Sequence, residues 1–105
     1  MSQKSEWMQI IVWEKVQLRM RVELEKGVMA DMMVQLEIND EGWRPAIRYN
    51  YAHGKPHLDK MYKDGRKEKV WMDHKTLKEA MTLGYENVKS NWRKLLWECG
   101  YHEVD

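Results

Sequence analysis

Phenylalanine is absent from the chain, and cysteine occurs once, at Cys99. A single thiol excludes an intramolecular disulfide and a multi-cysteine zinc site, and it fits a reducing compartment. Proline occurs twice and glycine six times, and no linker, internal repeat or low-complexity stretch interrupts the sequence. Long apolar runs are lacking as well. The longest near the N-terminus, Ile10 to Trp13, is far too short to span a bilayer and lacks the small-residue cleavage site of a signal peptide. The expectation is a cytoplasmic protein with no membrane partner. Charge of one sign is not in excess either: the formal net charge is +1, so no global basic field demands a nucleic-acid partner.

The residues present describe a single domain spanning positions 1–105, with a modest core to which oligomerisation could add. A hydrophobic content of 43% excludes a disordered chain. Nine Met, six Trp and five Tyr make a pliable core. They also exceed what a core of this size needs, which points to an apolar patch shared with a partner. Trp7, Trp13 and Met29 are the candidates for lining a homodimer interface. A third of the chain is charged. With few Asn and Gln this is the composition of a thermophile's surface ion-pair networks, although a chance bias in a small chain looks the same.

Hydrophobic periodicity carries the fold. Residues 1–6 are polar and read as loose. Met8, Ile10 and Val12 alternate as in a strand, while Trp7, Ile10, Ile11 and Glu14 also fit a short helix; strand is the preferred reading. Val16, Leu18, Met20, Val22 and Leu24 alternate with polar residues, and a second stripe runs from Val28 through Met32 and Val34 to Ile38. Sharing one face pairs Leu24 with Val28, Val22 with Ala30 and Met20 with Met32, around a three-residue loop Glu25-Lys26-Gly27. The opposite face then sets Arg21 beside Asp31 and Lys15 beside Glu37.

After the turn residues Asn39-Asp40-Glu41-Gly42, placing Ile38 opposite Trp43 aligns Leu36 with Pro45, Val34 with Ile47 and Met32 with Tyr49. Pro45 cannot donate to a ladder, so it belongs at an outward-facing position or a bulge. Across the Ala52–Lys55 turn, pairing Tyr49 with Leu58 sets Arg48 beside Asp59 and Asn50 beside His57, and turns Lys60 toward the core side. Asp64-Gly65 makes a hairpin turn into a strand at Lys67 to Met72. The period then changes. Leu77, Met81, Gly84, Val88, Trp92, Leu95 and Cys99 recur at steps of three and four, the stripe of one long helix. Asp73 is the expected N-cap, Thr76 with Glu79 an alternative capping box one turn later, and Gly100 the stop. Tyr101 and His102 read as a loose tail. The fold class is α+β: an antiparallel meander of four or five strands over residues 16–72, with a helix over residues 73–99 on its apolar face.

The other face is polar and open. It carries Arg19, Arg21, Asp31, Arg48, Asn50, His57 and Asp59, with His53 on the loop at one end. From Arg44 to Lys69 eight Lys or Arg stand against three acids, which leaves −4 on the rest of the chain. Such a basic hairpin would contact nucleic-acid phosphates, RNA or single-stranded DNA, through Arg19, Arg21, Arg44, Arg48, Lys55 and Lys60, with Tyr51, His53 and Tyr62 near enough to stack. The same residues suit metal-independent phosphodiester cleavage. His57 or His53 takes the proton, Arg48 neutralises the developing charge and Asp59 orients the imidazole. His57-x-Asp59 also suits a metal with His53 or His74 as third ligand, but His-x-Asp arises readily by chance and no metal or other cofactor is expected. The bland alternatives are a cross-strand ion pair of Arg48 with Asp59, a surface pair of His57 with Asn50, and an interaction protein without chemistry.

Arg48-Tyr49, Ala52-His53-Gly54, His57-x-Asp59, Asp64-Gly65 and the helical Asn91-Trp92 together resemble a group of small uncharacterised bacterial and archaeal proteins. Those read roughly Arg-Tyr-Asp-x-Ala-His-Gly-x-x-His-x-Asp at this place, and the likeness covers about residues 16–98. The resemblance implies the fold and marks Arg48, His53, Gly54, His57 and Asp59, but it implies no activity. Asn50 stands where that pattern has Asp, which weakens a metal or acid role there. The hairpin is also faintly similar to small proteins of toxin–antitoxin loci, which implies RNA as a partner and a toxin-type ribonuclease as one alternative.

Overall fold

The apolar alternation produces strands, and the change of period at residue 77 produces the helix. The computed structural model describes residues 2–52, 54–72 and 75–103. Its elements are β1 (Ser2–Val12), β2 (Val16–Glu25), β3 (Val28–Asn39), β4 (Trp43–Ala52), β5 (Lys55–Met61), β6 (Lys67–Trp71) and α1 (Leu77–Glu98). The strands form one antiparallel sheet in chain order, β1 to β6. The sheet has six strands rather than four or five because residues 2–12, whose first five read as loose, pair along β2. Lys4 faces Glu23, Glu6 faces Arg21 and Trp7 faces Met20.

The apolar faces match as the alternation requires, but two hairpin registers are shifted by two residues from the expected ones. Met20 pairs with Val34 and Val22 with Met32; Leu36 pairs with Ile47 and Val34 with Tyr49. The cause lies in the turns. Lys26 and Gly27 both take positive φ, 52° and 79°, the conformation of a two-residue hairpin loop. Continued regularly, that loop would set the core-facing residues of β2 against the odd-numbered residues of β3, Val22 against Asp31, Leu18 against Gln35 and Val16 against Glu37. An irregularity after Glu23, where Ala30 is the extra residue, restores the match. β4 repeats the device: the turn sets Glu37 against Pro45, and a shift at Ala46 brings Leu36 opposite Ile47. Pro45 lies beside this bulge, where a missing amide costs least. β4 and β5 have no such shift, and Tyr49–Leu58, Arg48–Asp59 and Asn50–His57 pair as the sequence predicts.

The core lies between the even-numbered face of β2 and β3 and the helix. Leu18, Val34, Leu36, Ile47, Val88 and Leu96 are fully buried in it. Leu96 and Ala80 join the helical stripe, and Trp92 is only partly buried against the core. The helix begins at Leu77 with Thr76 as N-cap and a reciprocal Thr76–Glu79 capping box; Asp73 lies outside the described residues. It ends in a Schellman motif. Gly100 N–H donates to the Trp97 carbonyl at 3.0 Å and Tyr101 N–H to that of Leu96 at 2.9 Å, with Gly100 at φ 97°. The motif folds Tyr101 back into the core, where it is buried, so this residue is not part of a loose tail. Among the described residues no helix is long and apolar enough to cross a membrane.

Candidate functional site

The face away from the helix is polar but largely not exposed. Gln17, Gln35, Glu37 and His57 are each under 8% exposed, although none lies under α1. This face spans β1–β4, where three register shifts fall, of the kind that bend strands and increase twist. Its cleft has a volume of about 500 Å³ and is lined by Glu6, Arg19, Arg21, Asp31, Met33, Gln35, Arg48, Asn50, Tyr51 and His57.

Next to the cleft residues Arg19 and Gln35, Glu37 collects donors from three side chains. Gln17 Nε2 reaches its Oε1 at 2.6 Å and Arg19 Nε its Oε2 at 3.2 Å, and Gln35 Nε2 also donates to Oε2. With its amide on Glu37, Gln35 turns its oxygen to Arg48, whose Nε donates at 2.5 Å. A buried carboxylate is tolerated here because its lone pairs are filled by oriented donors. Arg21 is 3.5 Å from Asp31, diagonally across the strands rather than directly opposite as expected.

Beside Arg48, Asp59 Oδ2 accepts from Asn50 Nδ2 at 3.2 Å and lies 3.2 Å from His57 Nε2. The His57 ring is 3% exposed and packs against Trp71 at a centroid distance of 5.1 Å. Nδ1 is buried and has no hydrogen-bond partner among the described residues. Arg48 faces Asp59 in register, but its hydrogen bond goes to Gln35 instead, so the simple Arg48–Asp59 ion pair does not form.

Of the residues expected at the site, Arg19, Arg21, Arg48 and His57 come together around one cleft, with Asp59 behind His57. His53 lies outside the described residues, as does His74. Arg44 stays at the β3–β4 turn, 3.4 Å from Asp40, and Lys55 opens β5 at the turn, exposed. Lys60 pairs with Ile47 and Glu68 in the ladder, on the helix side. These three do not reach the cleft. Tyr62 turns its hydroxyl to Glu68 and its ring to Arg66, away from the cleft. Gln35, Glu37 and Trp71 belong to the site and were not singled out in the sequence. The signal for Gln17, Gln35 and Glu37 was their shared parity with Arg19; Trp71 needed the β5–β6 register.

Among the described residues no three His, Cys, Asp or Glu side chains group as metal ligands. No curated protein and no solved structure matches the chain. A family model described as a domain of unknown function matches residues 1–98. The chain belongs to that family, the domain of unknown function DUF7718.

Proposed function

We propose that this protein binds single-stranded RNA across the polar face of its sheet. The observation that supports this best is the convergence of Arg19, Arg21 and Arg48 on one uncovered cleft. Arg19 and Arg48 are oriented through Nε, which leaves their terminal amino groups without a protein partner among the described residues. That is a fork suited to phosphate oxygens. Arg48 is held by a neutral amide, so its charge is not offset by a hydrogen-bonded acid. Trp71, 42% exposed and packed against the cleft residue His57, with Lys69 above its ring at 5.2 Å, offers a platform on which a base can stack. A single strand presents both phosphates and unpaired base faces to such a surface.

Fluorescence anisotropy with short labelled RNA and DNA, single- and double-stranded, tests the reading. Single-stranded RNA binds and its affinity falls with salt. Arg48→Ala weakens binding and lowers the log–log salt slope by about 0.7, the share of one single-strand phosphate contact. Trp71→Ala weakens binding without changing that slope. Absence of binding at low ionic strength ends the proposal.

The His57–Asp59 pair favours a second reading, cleavage of the bound strand without metal. An imidazole 3.2 Å from a carboxylate, beside an arginine, has the parts to take the proton of a ribose 2′-hydroxyl as that oxygen attacks phosphorus and to return it to the departing 5′ oxygen, while the arginine neutralises the charge on the phosphate. His57 is buried against Trp71, so alanine there would remove packing as well as the base. Asp59→Asn separates the two effects: it abolishes product formation in chelator while the fold survives. RNA left intact by the native protein with and without divalent metal rejects this reading and leaves binding standing.

A further inference from the structure

The two edges of the sheet are built differently. β6 is five residues long and reads Lys-Glu-Lys-Val-Trp, the short, lysine-bearing edge that resists strand addition. β1 is eleven residues long, with Trp7 at 43% and Met8 at 49% exposure, and among the described residues no strand lies beside its outer edge. We propose that a second copy of this chain pairs with β1, antiparallel and centred on Ser5, so that the two sheets become one.

The occupant and the register come from charge. A two-fold axis normal to the sheet keeps each face continuous and pairs residues of equal parity. Centring on Lys4 or Glu6 opposes like charges; centring on Trp7 or Met8 sets both charges against apolar residues. Centring on Ser5 opposes Lys4 to the partner's Glu6, twice. Within one copy a path of alternating charge already runs over this face: Glu6 faces Arg21 and Lys4 faces Glu23 at 4.0 Å, and Arg21 is 3.5 Å from Asp31 on the diagonal, with Glu23 opposite Asp31 as the exception. The pairing extends that alternation across the seam: Asp31, Arg21, Glu6, then the partner's Lys4 and Glu23. Cross-strand pairs of this kind specify register. Glu6 also lines the arginine cleft, so the partner's Lys4 arrives at its rim, offsets the Glu6 carboxylate and makes the two polar faces continuous.

Sedimentation equilibrium of the full chain, without RNA in any arm, tests the pairing independently of the RNA reading. The mass is twice that of the chain, and Glu6→Lys returns it to one. Because Glu6→Lys also repels Arg21, a second pair of variants carries the register: under mild oxidation Ser5→Cys gives a disulfide-linked dimer, Ile10→Cys does not, and buried Cys99 stays silent. A monomer at all concentrations up to millimolar overturns the proposal, as does a dimer that cross-links through Ile10→Cys and not through Ser5→Cys.

Discussion

Gly84 of the helix rests on the ring of Tyr49: a Cβ at position 84 would fall 2.7 Å from Tyr49 Cγ and 3.1 Å from its Cβ. One turn on, Asn87 Nδ2 donates to the Tyr49 hydroxyl at 2.7 Å. The helix is seated on β4 by this contact, with the glycine allowing the approach and the amide fixing the ring. Helix propensity alone favours alanine over glycine by about 1 kcal/mol. Overpacking a tight contact costs roughly 1–3 kcal/mol, and the Tyr49 ring, 4% exposed, has little room to yield. Gly84→Ala is therefore expected to destabilise, lowering the melting temperature by several degrees; a rise would show that the helix lifts without penalty.

Glu37 supports a different layer. Replacing it with leucine leaves the Gln17 and Gln35 amides buried without their acceptor and frees Arg19. Each stranded buried donor costs about 1–3 kcal/mol, less for the half-exposed Arg19. Glu37→Leu is expected to lose about 3 kcal/mol in urea denaturation and to weaken RNA binding through the misplaced Arg48. Glu37→Gln, which keeps the shape but adds an amide donor among donors, should fall between the two. A Glu37→Leu protein as stable as the native one would show that the cleft residues are not held by this network.

The helix start has a pH signature. The Thr76 backbone N–H, joined by its hydroxyl, holds the Glu79 carboxyl below its ordinary value of 4.5. A carboxyl lowered on folding contributes stability that is present above its unfolded value. It is lost as pH falls from about 4.5 through the lowered folded value. Melting curves taken down this range should steepen less in Glu79→Gln than in the native chain. Thr76→Ala removes the cap itself and costs about 1 kcal/mol at neutral pH. Parallel acid limbs for native and Glu79→Gln proteins would place the carboxyl outside the cap in solution.

Cys99 reports on the opposite end of the helix. Burial pushes its thiol up, against a smaller downward pull from Lys60, and its Sγ is 3.7 Å from the Ala46 carbonyl. The thiolate is the reactive form, so a thiol reagent at neutral pH should modify Cys99 only as the chain unfolds. Modification should track the urea transition. Fast labelling in native buffer would mean that the helix end opens on its own.

The sequence by itself determined which residues face the helix and which face the cleft, because alternation specifies a strand's register to within a multiple of two. It also carried the period change that makes one helix, the Thr76–Glu79 box and the stop at Gly100. It read β4 and β5 correctly, Tyr49 against Leu58, since no bulge intervenes there. Tertiary structure decided the rest. The hairpins at Lys26-Gly27 and Gly42 trade turn length against a bulge, and the sum of the two is not written in either apolar stripe; hence the two-residue shifts. β1 had no clean period, and only the free edge of β2 made Ser2 to Glu6 a strand. The polar face read as open, and packing on it buried Gln17, Gln35 and Glu37 against one another and His57 against Trp71. Strand pairing across distant stretches of chain has no local signal, and it is what sets Arg19, Gln35 and Arg48 in one row and Arg19, Arg21 and Arg48 around one cleft.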